Sequence, residues 1–332
     1  EEAEARYRAA LALDPDDVET LVGLSRTLRW QGRTADARSA ARRALAADPT
    51  SAVARDEWRA VEVAFRPLAS PALAHESDTD GNRLTTVSTY VRLRPLDRLS
   101  VRADAYTRDA REEGPADLDH AAPGGPITGI LELGVGWGVA GTVGASVADA
   151  DRGTVPAFAL ALSTPGREAV RATATVRRQA FDATARLIER GVVMTAATIE
   201  ASTRFGERTD LGVAGGLAWF EGEVSGDENR RWSAYASASR RVMTPLTVAL
   251  TVRGFGYRRD LDDGYFDPDF FGLAEILGRL TRPAGPLVLS LEGAPGLQQV
   301  GAEGDARLVG RVAGSVTWPI GPARELALGA LY

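Results

Sequence analysis

Residues 191 to 258 read GVVMTAATIEASTRFGERTDLGVAGGLAWFEGEVSGDENRRWSAYASASRRVMTPLTVALTVRGFGYR, and apolar and polar side chains alternate through most of this stretch. The first run places Val193, Thr195, Ala197, Ile199 and Ala201 on one face and Thr198, Glu200 and Ser202 on the other. A period of two predicts a β-strand. The pattern resumes after the turns at 206–208 and 244–245, so three or four strands follow one another closely. Each run has about 10 to 14 residues, near the ~9–11 that a tilted strand needs to cross a bilayer.

The same alternation recurs along the rest of the chain after residue 68. Strands are predicted at 85–93, 99–108, 131–139, 141–150, 155–164, 168–180, 271–282, 287–299, 307–318 and 323–332. Loops are predicted at 112–126, 182–190 and 259–269, which are rich in polar residues or do not alternate. Single-chain bacterial barrels use even strand numbers, so we expect an antiparallel transmembrane β-barrel of about 14 to 16 strands.

Soluble β-sandwiches and propellers also show alternation, so they are the alternatives to a membrane barrel. The predicted strands are too long for a sandwich, and no blade repeat of about 40 residues is visible. The apolar face is made of small aliphatic residues, and Trp137, Trp219, Trp232 and Trp318 lie near strand ends. This distribution is typical of the aromatic girdle of a membrane barrel.

The composition excludes several classes of function. The chain of 332 residues has 44% hydrophobic and 25% charged residues and a net charge of −6, which favours a folded protein and not nucleic-acid binding. It has no Cys and two His, so thiolate catalysis and a three-histidine metal site are impossible. No run of 18 apolar residues predicts a transmembrane helix. A hydrolase would depend on His75 or His120, which lack suitable neighbours, so we expect no enzyme, cofactor or metal.

Residues 1–67 are predicted to form α-helices with an internal repeat of 34 residues, the tetratricopeptide period, because Pro15 and Pro49 are 34 residues apart. The residues expected to pack the repeat are Tyr7, Ala10, Pro15, Leu24, Leu28, Ala37, Ala44 and Pro49. The linker is predicted at 66–71, so the barrel domain would span 68–332. A solenoid needs at least about three repeats, so we expect further repeats upstream.

Tetratricopeptide repeats followed directly by a barrel resemble the bacterial exopolysaccharide export proteins, such as the outer-membrane subunit of cellulose synthase and the poly-N-acetylglucosamine export porin. The segment Gly264-Tyr265-Phe266-Asp267-Pro268 looks like the Gly-Tyr-Phe-Ser-Pro element of the cellulose subunit and departs from it at Asp267. The resemblance implies an α + β multidomain protein of the outer membrane, with the repeats in the periplasm and a lumen that exports an exopolysaccharide.

Two functions remain open at this point. The first is passive export through a polar pore, with the repeats binding a periplasmic protein or the polymer. The second is an anchor or assembly factor, in which the lumen of the barrel is plugged and only the repeats bind a partner. The residues expected to line the pore are Arg92, Arg102, Arg171, Arg204, Arg253, Arg311, Glu132, Glu200, Glu275, Tyr235 and Tyr257. The linker and the turns at 95–97 and 244–245 should lie in the periplasm, and 112–126 and 259–269 outside.

Overall fold

The computed structural model contains a short helical segment followed by one large antiparallel sheet. It describes residues 2–78, 81–113, 118–125, 127–132, 138–147, 154–164, 170–222, 228–261, 264–321 and 324–332. The helices are α1 (Glu2–Leu13), α2 (Val18–Trp30), α3 (Thr34–Ala47), α4 (Ala52–Glu62) and α5 (Ala185–Arg190), with a 3₁₀ turn at Val63–Phe65. The first four helices confirm the helical segment predicted before residue 67.

Side-chain caps start two of these helices. The Asp17 carboxylate accepts a hydrogen bond from the Thr20 backbone N–H at 2.9 Å, and the Ser51 hydroxyl accepts one from the Ala54 N–H at 3.3 Å. Each cap satisfies a backbone donor that the first turn leaves without a partner. Because Thr20 stabilises the charged carboxylate, the pKa of Asp17 lies below its ordinary value. The two caps therefore fix where α2 and α4 begin.

The helices pack through small residues at the predicted repeat positions. Leu24, Leu28, Ala37 and Ala44 are buried, and the Tyr7 ring packs on α2 where Gly23 leaves room for it. Ala10, Pro15 and Pro49 are exposed. The proline positions therefore mark the helix ends and do not fill the core, whereas the leucine and alanine positions form it.

The strands are longer than those of most globular sheets. They are β1 (Leu68–Ser77), β2 (Asn82–Leu96), β3 (Leu99–Glu112), β4 (Leu118–Gly124), β5 (Ile127–Glu132), β6 (Gly138–Val147), β7 (Thr154–Ser163), β8 (Val170–Ala180), β9 (Val192–Phe205), β10 (Thr209–Gly222), β11 (Glu228–Met243), β12 (Leu246–Tyr257), β13 (Phe271–Ala284), β14 (Leu287–Val300), β15 (Arg307–Gly321) and β16 (Arg324–Leu331). Across the described residues these sixteen strands form one sheet, in which consecutive strands are neighbours except β4 and β5, which do not pair with each other.

Two short strands share one place in this sheet. β4 pairs with the second half of β3, from Tyr106 to Glu112, and β5 pairs with its first half, from Leu99 to Ala103. β4 and β5 are thus the two halves of a single interrupted strand. Because β4 and β5 occupy one position and every described pair of neighbours is antiparallel, β1 and β16 run in the same direction.

The structure corrects four sequence-based boundaries. Within the stretch 112–126, residues 118–124 form β4 and not a loop; Pro123 and Gly124 hide the alternation. The strand predicted over 131–139 is wrong, because its ends belong to β5 and β6, which pair antiparallel. The stretch 182–190 contains α5. The predicted linker extended too far, because β1 already begins at Leu68.

The two faces of the sheet differ in chemistry. Large aliphatic side chains on alternate positions are exposed on one face, and they include Leu73, Val87, Leu160, Val176, Ile199, Val213, Leu217, Leu250, Ile276, Leu291, Val312 and Leu328. Cross-strand partners share this face, as Val213 does with Ala201 and Ala236. We call it the outer face and the opposite one the inner face. A water-soluble monomer rarely exposes so large an apolar surface.

The two ends of the strands are also distinct. The start of β1, the β2–β3 turn at 97–98 and the β12 turn at 244–245 lie at one edge, which we call the repeat edge. The segments 181–191, 258–270 and 301–306 lie at the opposite edge, which we call the plug edge. The linker and the short turns therefore lie at the edge opposite to the segment after β12, and the side of the membrane that each edge faces stays a prediction.

The helical segment contacts the repeat edge through arginines. Arg38 on α3 bonds to Glu62 and to Asp97 in the β2–β3 turn, each at 2.6 Å, and its guanidinium lies 4.3 Å from the centre of the Phe65 ring. Arg94 on β2 donates to the Thr34 hydroxyl at 2.7 Å. These contacts attach the third helix to the second and third strands.

Candidate functional site

A short helix occupies the plug edge on the inner face. The Thr184 hydroxyl accepts a hydrogen bond from the Leu187 N–H at 3.2 Å to start α5, and Gly191, at a φ of 60°, ends it in the left-handed region. An isolated helix of six residues is not stable in water. Its conformation must therefore come from packing against the sheet.

This helix contacts two parts of the inner face that are distant in the sheet. Ala185 and Ile188 pack against Ala110 on β3 and Ala122 on β4. Leu187, on the same helix, belongs to a cluster with residues of β9, β10 and β12. Three strands, β6 to β8, separate β4 from β9 in the sheet. The sheet must therefore curl around α5, so that the helix lies inside it.

Ion pairs and hydrogen bonds attach the helix to the walls. The buried Asp182 carboxylate pairs with Arg108 and accepts from the Tyr106 hydroxyl at 3.3 Å, both on β3. Arg186 bonds to Glu112 at 2.7 Å. Burial outweighs the attraction of Arg108, so the pKa of Asp182 lies above its ordinary value.

Residues 258–261 and 264–270, between β12 and β13, also pack at this edge. The Tyr265 ring lies 5.3 Å from the Phe220 ring and nearly parallel to it, and the Thr184 hydroxyl donates to the Gly264 carbonyl at 2.9 Å. Gly264 has a φ of 87°, which favours glycine. Asp267 accepts from the Leu261 N–H at 2.7 Å, and burial raises its pKa. The Gly-Tyr-Phe-Asp-Pro segment therefore packs against α5, and we call the two together the plug.

A cavity of about 890 Å³ lies between the plug and the wall formed by β11 and β12. Phe181 and Arg186 line it from the plug side, and Arg231, Phe255 and Tyr257 line it from the wall. Arg231 donates to the Tyr257 hydroxyl at 3.2 Å. The carboxylates of Asp78, Glu112, Asp260 and Asp267 also line this cavity.

Several predicted pore-lining residues bond to neighbours on the inner face. Arg311 contacts Glu275 at 3.0 Å and Glu292 at 2.7 Å. Arg102 contacts Asp104 at 2.9 Å and lies 3.9 Å from the centre of the Tyr90 ring, and Arg204 contacts Asp210 at 2.8 Å. These ions are held against the wall, and Glu275 is buried. The ion pairs of Arg311 and Arg204 therefore link different strands, whereas Arg102 and Asp104 lie on the same strand, β3.

The other predicted pore-lining residues are less constrained. Arg92, Arg171, Arg253, Glu200 and Tyr235 have no hydrogen bond or ion pair with another side chain in the described part of the chain. Tyr257 is buried in the aromatic cluster of the plug edge. Glu132 ends β5, and its side chain lies outside the described residues.

Sequence reasoning missed α5, Phe220 and Arg231 as parts of the site. The Gly-Tyr-Phe-Asp-Pro segment is the one sequence signal that points to this place, and the sequence predicts a loop there. α5 gave no signal because a helix of six residues is too short to show a helical period. Within the described ranges, no three His, Asp or Glu side chains are grouped to bind a metal ion. No described helix is long and apolar enough to span a membrane.

Comparison with known proteins agrees with this description. Residues 1–55 match the model of the tetratricopeptide repeat. The chain has no match among curated protein sequences. A solved structure named as a bacterial polysaccharide outer membrane secretin is similar, with a TM-score of 0.57 and 14% identity over 76% of this chain and 84% of that one.

Two other solved structures are more distant. CdiB from Acinetobacter baumannii has a TM-score of 0.45 and 9% identity over 84% of this chain and 68% of that one. The FrpB iron transporter from Neisseria meningitidis has a TM-score of 0.42 and 11% identity over 75% of this chain and 50% of that one. These scores are too low to support an argument. The similarity to the secretin shows that the sheet has the fold of an outer-membrane β-barrel protein.

Proposed function

We propose that this protein is a bacterial outer-membrane channel that exports an exopolysaccharide. The observation that carries the proposal is the two-faced sheet: long strands expose aliphatic side chains outside and arginine, glutamate and tyrosine inside. In a bilayer the outer face would contact lipid, and the inner face would contact water or polymer. The likeness of the fold to a polysaccharide secretin supports this substrate class.

The repeats would lie in the periplasm and bind a protein partner there. The contacts of the repeat helices α1 to α4 with the sheet that are described above are at the repeat edge, at Asp97 and Arg94. Tetratricopeptide repeats form concave surfaces that bind proteins. A partner at this edge would be placed where polymer enters the lumen, and the plug edge would face the outside.

Export is tested by deleting the gene and measuring the polymer in the culture medium. The secreted polymer should fall to background and accumulate in the periplasm, and a copy of the gene should restore secretion. A deletion mutant that secretes normal amounts of polymer would refute the proposal.

The second candidate is an anchor without transport, and the plug favours it. α5 and the 258–270 loop cover part of the inner face at one edge and are fastened to strands on both sides. Purified protein in planar bilayers distinguishes the two functions. Export requires ion conductance that appears in the wild-type protein or when the plug is displaced, and an anchor shows no conductance in either case.

A further inference from the structure

Two arginine–tyrosine pairs lie above one another on the wall that faces the plug. β11 and β12 pair so that Arg231 lies opposite Tyr257 and Tyr235 lies opposite Arg253. All four residues alternate with the aliphatic outer positions, so they belong to the inner face. The pairs are four residues apart, which corresponds to about 13 Å along a strand. We call these two pairs the cationic wall.

Arg231 has no carboxylate to neutralise it among the described residues. Its guanidinium lies between 5.3 and 5.9 Å from the centres of the Phe220, Phe255 and Tyr257 rings. It donates one hydrogen bond, to the Tyr257 hydroxyl, and its Nε is buried without a partner. A guanidinium keeps its charge and offers five donors. A largely desolvated cation with free donors is a site for an anionic group.

Arg253 continues this positive charge toward the repeat edge. It is exposed and bonds to no described side chain, and its cross-strand partner Tyr235 is 41% exposed. Glu275, on the neighbouring strand, is already bound to Arg311. Glu200 lies on β9, two strands from Tyr235. Neither arginine of the wall therefore forms an ion pair with a described side chain, although the carboxylates of Asp78, Asp260 and Asp267 also line the cavity that includes Arg231.

Two separate cavities lie along this wall. The cavity of about 890 Å³ at the plug includes Arg231, and a second one of about 660 Å³ includes Tyr235 together with Arg171 and Glu200. An extended polymer could contact both pairs at once. Its contacts would be repeated along the direction of transport.

We propose that the cationic wall binds a polysaccharide whose sugar units carry carboxylate groups. The planar fork of an arginine matches a carboxylate with two hydrogen bonds, and the free face of Tyr235 suits the apolar face of a sugar ring. A neutral polymer would leave Arg231 unneutralised, and a polymer of sugars with free amino groups would be repelled, because these groups are protonated. This inference rests on the proposed export function and specifies its substrate class.

Binding can be measured without transport. The probe is an oligogalacturonate of six units, titrated by calorimetry into the purified full chain in detergent, with cellohexaose as the neutral control. We expect the wild type to bind oligogalacturonate and not cellohexaose. Arg253→Gln and Arg231→Gln should each weaken binding about tenfold, the loss of one hydrogen-bonded ion pair. Arg59→Gln, on exposed α4, removes the same charge far from the wall and should bind as the wild type does.

Three results would overturn the proposal: no binding of oligogalacturonate, equal binding of cellohexaose, or unchanged binding by Arg253→Gln. Arg253 is exposed, so its variant should fold even if Arg231→Gln does not. The outcome is separate from that of the export function. If the purified protein binds oligogalacturonate but deletion of its gene leaves polymer secretion unchanged, export alone is refuted. A protein that secretes polymer but does not bind oligogalacturonate would refute the cationic wall alone.

Discussion

Replacing Ile199 by arginine tests which face of the sheet meets lipid. Ile199 lies near the middle of β9, is 61% exposed, and has Gly215 and Ala174 as cross-strand neighbours on the outer face. No described carboxylate on that face is next to it in the strand register. An arginine at the midplane of a bilayer costs about 2–4 kcal/mol in membrane barrels. On a soluble surface the same change would cost within about 0.5 kcal/mol.

Glu200 provides the matched control, because it is the next residue and points to the inner face. Glu200→Arg also introduces an arginine, at the same depth, into water. Both variants should be folded into lipid vesicles, and their free energies of unfolding measured by urea titration. We expect Ile199→Arg to lose about 2–4 kcal/mol more than Glu200→Arg. Equal losses would refute the assignment of the outer face to lipid, or its register.

Further predictions concern sidedness, the plug and the helix contact. The chain has no native cysteine, so single cysteines can be placed at the exposed residues Glu303, at the plug edge, and Glu207, at the repeat edge. On intact cells an impermeant thiol reagent should label the cysteine at 303 and not the one at 207; the opposite pattern would reverse the orientation. Leu187→Asp places a charge in the packed cluster and should raise conductance in planar bilayers, whereas an unchanged current would show that α5 does not obstruct the lumen. Burial in the packed plug raises the pKa of Asp182, so ionisation of this carboxyl group destabilises the plug when the pH exceeds that pKa, whereas below the ordinary value of 3.8 the group is protonated in both states. We therefore expect the conductance to fall on acidification and Asp182→Asn to abolish this pH dependence. A conductance that rises on acidification would contradict the sign. Arg38→Ala should increase proteolysis between the helices and β1, and identical cleavage would show that the Asp97 contact does not hold them.

The periodic parts of the structure could be predicted because long strands repeat the same signal many times. The outer face from Ile199 to Leu250 follows from alternation alone, and the four N-terminal helices follow from the repeat and from Pro15 and Pro49. Errors arose where the period was interrupted. β4 contains Pro123 and Gly124, and β1 contains Pro71, so both were assigned to irregular structure.

The candidate site was predicted less well because it depends on contacts between distant parts of the chain. Alternation predicts Arg253 and Arg311 on one face, but it does not show that Arg311 bonds to Glu275 and Glu292 while Arg253 bonds to no described side chain. That difference depends on which side chains of β13 and β14 reach β15. It separates charges that brace the wall from charges that remain available to a ligand.

The contacts of the plug are compatible with two roles, a brace that stabilises the sheet and a gate that obstructs the lumen. A helix of six residues has no stability of its own, so α5 stays in place only while it packs on both sides of the curled sheet. If it mainly braces the sheet, removing its contacts should lower the free energy of unfolding of the whole domain. If it mainly gates the lumen, the walls should keep their strand pairs and only the current should change. Leu187→Asp breaks a contact that both roles require. Measuring the free energy of unfolding and the conductance of this variant therefore decides between a structural brace and a gate.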